Sequence, residues 1–383
     1  MTPFFRSRWV QAPDGVEELP SARLAPGFRA AGVHCGLKSE GSTDLGIVTA
    51  DGEAGSAILL TRNASAAAPV RVCRERCDGD SLQAAVVNSG NANAETGEEG
   101  YAAALAMRDE AAGRLGIEPS KVAVAETGRI GVPLDIDAVR GGIAEAADAL
   151  APDGGDAFSE AIMTTDRWPK RCTVTAGGVT LSAQCKGGGM IRPDFATMLC
   201  FVQTDADIDD PRGALERAVA PSFERITVDG QMSTNDTVLL QATGASGKPL
   251  PEGLLEAVLL QLALDVIADG EGATRVARVT VTGAAELAEA ERVARAVSES
   301  PLVKTALFGH DPNWGRVAQA AGMALAGEPL DEIGAGAIDA DELGGDGEEA
   351  EIGVRLDRGD AEAAVYFSDL NYEYVRINAE YTT

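Results

Sequence analysis

Short runs of β-branched and aliphatic residues alternate along the chain with longer stretches in which apolar positions recur every three or four residues, the period of a half-buried helix. The runs predict strands at 56–61 (SAILLT), 84–90, 121–128, 173–184, 198–206, 237–244 and 275–283. The periodic stretches predict helices at 98–116, 135–150, 211–223, 251–270 and 285–300. Such alternation implies an α/β fold with helices covering sheet faces. Two stretches rich in Gly and acidic residues, 151–155 and 334–351, read as loops or seams, and there is no internal repeat of fixed period.

At 383 residues the chain is long enough for two or three domains or one large α/β body. Its 60 Asp and Glu against 32 Lys and Arg give a net charge of −28. A field of that sign repels phosphate backbones and acidic bilayers, so no nucleic-acid or membrane partner is expected, and the acidic residues read as a solvated surface. The opening MTPFFRSRWVQAPDGVEELP lacks the apolar core of a secretory signal, and no later window reaches about 18 apolar residues, so a cytoplasmic protein is expected. Six cysteines, Cys35, Cys73, Cys77, Cys172, Cys185 and Cys200, are scattered without CxxC pairs and read as reduced, buried small hydrophobes.

Several familiar sites are excluded. Only His34 and His310 are present, which leaves little for a zinc centre or a histidine-based triad; His310, in FGHDPNWG, reads as a hydrogen-bonded loop residue. The acidic run from Asp205 has Asp210 where a calcium loop needs glycine, and Asp210 before Pro211 fits a helix N-cap instead. The run from Asp339 places Leu343 and Ala350 at ligand positions, so neither run supports calcium. Lys186 precedes Gly187-Gly188-Gly189, the reverse of a phosphate-binding loop. No metal and no bound cofactor are expected.

The stretch KGGGMIRPDFATMLCF (186–201) admits two readings. One is a glycine-rich turn entering a strand, with Thr197 as a β-favouring residue. The other is a site of self-cleavage before Thr197, after which the threonine hydroxyl carries its own base, because a free α-amine has a pKa of roughly 7.7–8.0. Glycines let the chain fold back, Pro193 stiffens the approach, and Ala196 leaves its carbonyl uncrowded.

The same stretch resembles the KGxGMxxPxxATML signature of the ornithine acetyltransferase family. Further segments resemble that family in order: GFRAAGV (27–33), VVNSGNANAETG (86–97), AETGRIG (125–131), AIMTTD (161–166), ITVDGQMSTNDT (226–237), DGEGATR (269–275), SPLVKTALFGHDPNWGR (300–316) and YVRINAEYTT (374–383). The resemblance implies a layered αββα fold and cleavage between Ala196 and Thr197. The products would be an α chain of 1–196 and a β chain of 197–383, assembling as two α and two β chains. It implies transfer of acetyl from N2-acetyl-L-ornithine to L-glutamate through an acetyl ester on Thr197, without a cofactor, although some relatives also accept acetyl-CoA. By motif position it assigns Thr127 and Gly128 to an oxyanion hole, and Thr164, Lys186, Thr197, Glu271, Asn378 and Thr383 to substrate contacts. Lys186 would receive a carboxylate and Glu271 an ammonium.

Four departures stand out from the family pattern: Glu126 and Arg129 beside the oxyanion pair, Met232 for a usual threonine, and Glu95 where cysteine is common. The nearest rival reading is a self-processed hydrolase with the same nucleophile; another is an uncut amino-acid-binding protein.

Overall fold

Six strands build the largest sheet, in the order Glu17–Leu19, Lys170–Ala176, Val179–Lys186, Leu199–Thr204, Thr237–Ala242, Gly55–Leu60. A second sheet runs Phe28–Val33, Leu45–Ala50, Ala84–Asn91, Val122–Arg129. The computed structural model describes residues 3–38, 41–192, 198–328 and 335–380.

Alternation along the strands sets the layers. In Leu199–Thr204, Leu199 and Phe201 point toward the second sheet and share its core, while Cys200 and Val202 point the other way. Leu239 and its neighbours Val238 and Leu240 divide in the same fashion. Helices Ala68–Arg76, Gly97–Leu115 and Ile136–Asp148 bury Val72, Met107 and Ile143 in the core of the second sheet. Helices Pro211–Val219 and Leu254–Ala268 bury Leu215, Leu259 and Leu262 against the far face of the largest one. The resulting order, helix, sheet, sheet, helix, is the layered αββα arrangement that the motifs imply. Phe158, from the short helix Gly155–Ala161, meets Phe201 edge-on with ring centroids 5.3 Å apart, tying the two sheets.

A third sheet, Ile226–Thr227, Ala361–Ser368, Val276–Ala284, Glu349–Arg355, Ile338–Asp339, carries helices Leu287–Ser298, Pro301–Phe308 and Trp314–Ala324 over its own core. The periodicity of 285–300 and the strand at 275–283 foreshadow this lobe; its later strands and short helices carry weaker patterns.

Local chemistry accounts for the boundaries. Asp210 caps its helix by accepting from Gly213 N at 2.9 Å, with Pro211 at the first helical position, as the sequence predicts. The predicted strand 173–184 is instead two strands: the chain reverses at Gly177 and Gly178, with φ of 59° and 83°, and Ala176 pairs with Val179. That left-handed backbone suits glycine, and a mirror-type hairpin turn demands it. The seam expected at 151–155 is a packed joint. Ala151 pairs with Ala30, and a Cβ on Gly154 would stand 1.8 Å from the Ala30 carbonyl oxygen. Four of the six free cysteines are buried, whereas Cys35 and Cys77 are only partly so.

Gly32 shows how tightly the short helix sits on its strand: a Cβ there would lie 2.0 Å from the Ala157 carbonyl oxygen. We expect Gly32→Ala to destabilise the fold by about 1–3 kcal/mol, the usual cost of overpacking, read as a lower urea midpoint at unchanged slope.

Candidate functional site

The ends of the strands Val122–Arg129 and Val179–Lys186, the loops that carry Thr164, Gly189, Asp229 and Glu271, and the helix that carries Asn378 converge on one cleft open to solvent. Its walls include Thr127, Gly128, Thr164, Lys186, Glu271 and Asn378, six positions singled out from the sequence. Ala196, Thr197 and Thr383 lie outside the described residues. Met198, the next residue after Thr197, is buried at the head of its strand, and the following residue, Leu199, pairs with Lys186.

Thr127 and Gly128 end the Val122–Arg129 strand, where pairing with Ala84–Asn91 shifts register between Gly90 and Asn91. Such an irregularity re-aims side chains. Gly128 adopts φ 132°, and a Cβ there would lie 2.4 Å from the Gly90 carbonyl carbon, so no other residue fits without moving the backbone. Lys186 Nζ donates to Thr127 Oγ1 at 3.2 Å. With the threonine oxygen accepting from the lysine, its own proton is available to a further acceptor in the cleft.

Lys186 is almost fully buried, and burial pushes its ammonium below the ordinary lysine value, opposed by the negative field of Asp166. The Asp166 carboxylate is itself fully buried. Burial disfavours its charge, yet Lys170 and Lys186 outweigh that and hold it well below the usual carboxylate range. Its Oδ1 accepts from Lys170 Nζ at 2.7 Å and from Gly187 N at 2.8 Å, and its Oδ2 from Thr164 N at 2.9 Å. Lys170 also reaches Asp269 at 2.5 Å, and Asp269 receives Arg167 through both its backbone N and Nε. One buried ion cluster thus sets the positions of Thr164, Lys186 and the loop leading to Glu271.

The three glycines after Lys186 have separate uses. Gly187 N is held by Asp166, and Gly188 O accepts from Glu271 N at 2.8 Å. A Cβ on Gly189 would meet the Glu271 carboxyl carbon at 2.6 Å, so glycine there lets that carboxylate lie over the loop. Asn378, on the terminal helix Tyr372–Glu380, donates to Glu271 Oε2 at 2.7 Å. A cationic and an anionic side chain therefore face the same cavity, able to take an ammonium and a carboxylate from one amino-acid ligand.

The departures from the motif pattern fall largely outside the cleft. Arg129 and Glu95 are exposed. Met232 uses its carbonyl, which accepts from Asn63 Nδ2 at 2.9 Å. Glu126 is fully buried beneath the strand; Asn93 Nδ2 donates to its Oε1 at 2.8 Å, and among the described residues its Oε2 has no hydrogen-bond partner. Burial pushes this carboxyl up to about 8, opposed by the Asn93 bond, so it is largely neutral at pH 7.

Asp166, Lys170, Asp269, Asp229 and Asn235 hold the backbone around the cleft, and the sequence pattern alone does not single them out. They sit within or beside AIMTTD, DGEGATR and ITVDGQMSTNDT, so a signal is present, but only the fold joins those segments. His310 lies elsewhere, exposed, with Nδ1 2.7 Å from Gly345 O, in keeping with a loop histidine. Among the described residues no cluster of three His, Cys, Asp or Glu side chains has the arrangement of a metal site. No helix of the described residues is long and apolar enough to cross a membrane.

Residues 29–383 match the model of the ArgJ family. The chain is 44% identical to the arginine biosynthesis bifunctional protein ArgJ of Geobacter sulfurreducens, over 93% of this chain and 99% of that one. It is 41% identical to the glutamate N-acetyltransferase of Methanosarcina mazei, over 90% and 95%. The ornithine acetyltransferase of Mycobacterium tuberculosis, solved with ornithine, is 35% identical and superposes with a TM-score of 0.44 over 47% of this chain and 98% of that one.

Replacing Glu126 by Gln keeps the Asn93 contact and removes the titration. The folded value of about 8 lies above the ordinary 4.5, so wild-type stability is complete below about pH 4.5 and falls as pH rises through about 8. The melting temperature of Glu126→Gln is therefore expected to gain on the wild type across that window and level off above it. A gap that does not change with pH would show that Glu126 keeps one charge state throughout.

Proposed function

Because the chain belongs to the ArgJ family, we propose that it is the acetyltransferase of arginine biosynthesis that moves acetyl from N2-acetyl-L-ornithine to L-glutamate. The observation that carries this reading is the meeting of Thr127, Gly128, Thr164, Lys186, Glu271 and Asn378 around one cavity, next to the strand that begins after Thr197. Those residues come from segments spread over the whole chain.

In this reading the chain first cuts itself between Ala196 and Thr197, and the freed Thr197 becomes the nucleophile. Its α-amine takes the proton from Oγ1 as that oxygen adds to the acetyl carbonyl of acetylornithine. The Thr127 hydroxyl and Gly128 N–H stabilise the oxyanion. The carbon–nitrogen bond then breaks, the proton passes to the departing amine, and ornithine leaves behind an acetyl ester. The amine of glutamate attacks that ester by the same route in reverse. Donor and product are both amides of α-amino groups, so the exchange is close to thermoneutral and calls for no metal or bound cofactor. Acetyl-CoA is a second acetyl donor in the bifunctional form of this reading, the assembly contains two α and two β chains, and the reaction is cytoplasmic.

Lys186 suits the carboxylate common to both substrates, and Glu271 suits the cationic tail of ornithine. When glutamate occupies the site its side-chain carboxylate faces Glu271, whose bond to Asn378 offers an amide that can turn to the substrate instead.

Denaturing mass spectrometry of the purified protein is the direct test. Two fragments that sum to 39.5 kDa, one of them starting at Thr197, are expected, and a single intact species would remove the reading. Thr197→Ala is expected to stay intact and inactive; acetyl transfer by that variant would exclude Thr197 as nucleophile. For Thr127→Ala a fall of about 10²–10³ in kcat is expected in the glutamate-dependent assay, the usual cost of one oxyanion donor. Wild-type turnover would remove Thr127 from that role.

A further inference from the structure

The loop between the strands Ile226–Thr227 and Thr237–Ala242 turns several side chains onto the backbones of four other segments. Asp229 Oδ2 accepts from Met190 N at 2.6 Å, and its Oδ1 accepts from Ile191 N at 3.0 Å and from Gln231 N of its own loop at 3.0 Å. The Ile191 carbonyl is held in turn by Val228 N at 3.0 Å and by Thr227 Oγ1 at 3.1 Å. Seven residues after Asp229, Asp236 Oδ1 accepts from Met198 N at 3.0 Å, and Thr237 N donates to the Met198 carbonyl at 3.1 Å. Between the two, Asn235 Nδ2 donates to the carbonyls of Glu126 and Ala92 at 2.8 and 2.7 Å.

One loop therefore fixes the chain on both sides of residues 193–197 and fixes the strand end that carries Thr127 and Gly128. The proposed scissile bond lies in that span, outside the described residues. Asp229 lines the cleft, which by itself would suit a ligand for a substrate ammonium. Its two oxygens are instead occupied by three amide protons, with the Tyr374 hydroxyl 3.5 Å away. Met190 adopts φ 58°, a left-handed conformation that a side-chain-bearing residue keeps only when its surroundings impose it. Asp229 supplies that constraint.

We propose that Asp229 is a positioning residue for the cut between Ala196 and Thr197: it grips the upstream shoulder while Asp236 of the same loop grips the downstream one. This rests on the self-cleavage reading above. In the step it assists, Thr197 Oγ1 adds to the Ala196 carbonyl carbon, the carbon–nitrogen bond breaks, and the hydroxyl proton passes to the nitrogen, which becomes the α-amine. The ester so formed is hydrolysed by water to the Ala196 carboxylate and the free threonine hydroxyl. Asp229 exchanges no proton in this sequence. It narrows the conformations from which the hydroxyl can reach the carbonyl, and a misplacement of about 1 Å can cost up to about 10²-fold in such a step.

The test follows the full chain during cell-free synthesis, with the intact fraction read by denaturing mass spectrometry at successive times. Asp229→Asn preserves size but turns one accepting oxygen into an amide that faces N–H groups, and we expect conversion about 10- to 100-fold slower than wild type. Thr227→Val removes only one donation to Ile191 and is expected to slow conversion about fivefold. Hydroxylamine separates the steps, since it cleaves an accumulated ester but cannot speed the formation of one. Unchanged slow conversion in its presence is expected, and restoration of the wild-type rate would overturn the assignment to the first step. If Asp229→Asn loses its cooperative melting transition, Thr227→Val decides alone, and a wild-type rate in it overturns the proposal. A wild-type chain that never cuts, or a Thr197→Ala chain that does, sinks the self-cleavage reading itself; a wild type that cuts while both loop variants match it sinks only the role of Asp229.

Discussion

The geometry of the cleft depends on a lysine that water does not reach. Lys170 is fully buried between the carboxylates of Asp166 and Asp269, which are fully buried too. Burial alone would depress the Lys170 ammonium, but the two carboxylates outweigh it and hold the group above the ordinary value. Removing one member of such a cluster would strand uncompensated charge in a dry interior, at a typical cost of about 3–5 kcal/mol. Each aspartate directs its remaining lone pairs to backbone or guanidinium N–H groups, from Thr164, Gly187 and Arg167. The cluster thereby holds three loops in register, and the side chains that face a ligand inherit their places from it. Lys186 stands next to it with Thr127 as its hydrogen-bonded neighbour.

Much of this architecture is legible in the order of the residues. The seven predicted strand runs all correspond to strands, because buried strands and amphipathic helices leave opposite periodicities in the sequence. The 173–184 run conceals a hairpin, since paired glycines inside an apolar stretch do not by themselves distinguish a turn from a flexible strand. Phe28–Val33 and Leu45–Ala50 leave no clear mark because each carries an interior glycine, Gly32 and Gly46, beside small residues that weaken the strand signal. Residues inside a distinctive motif, such as the threonine after the glycine-rich turn, stand out through the company they keep in the chain. Asp229, Asn235 and Asp236 act on backbone amides and carbonyls up to 143 residues away, and no local pattern announces such partners. Glu126 illustrates the limit from the other side. In the sequence it stands next to Thr127 and Gly128; in the fold the pleat turns its carboxyl away from the cleft, toward Asn93.

The two strands that follow residue 197 in the largest sheet, Leu199–Thr204 and Thr237–Ala242, lie between Val179–Lys186 on one side and Gly55–Leu60 on the other, both from the upstream part of the chain. A break in the connection between residues 196 and 197 would leave every one of those ladders in place, so the sheet would not register it. Unfolding would be another matter. An unbroken chain that melts can return by a first-order search, because its strands remain tethered. Two pieces that melt drift apart, and their return becomes a bimolecular encounter whose rate falls with dilution. A cut at that position would convert a reversible fold into one whose lifetime is set by its unfolding barrier, with the interleaved strands as the only memory that the pieces were once joined.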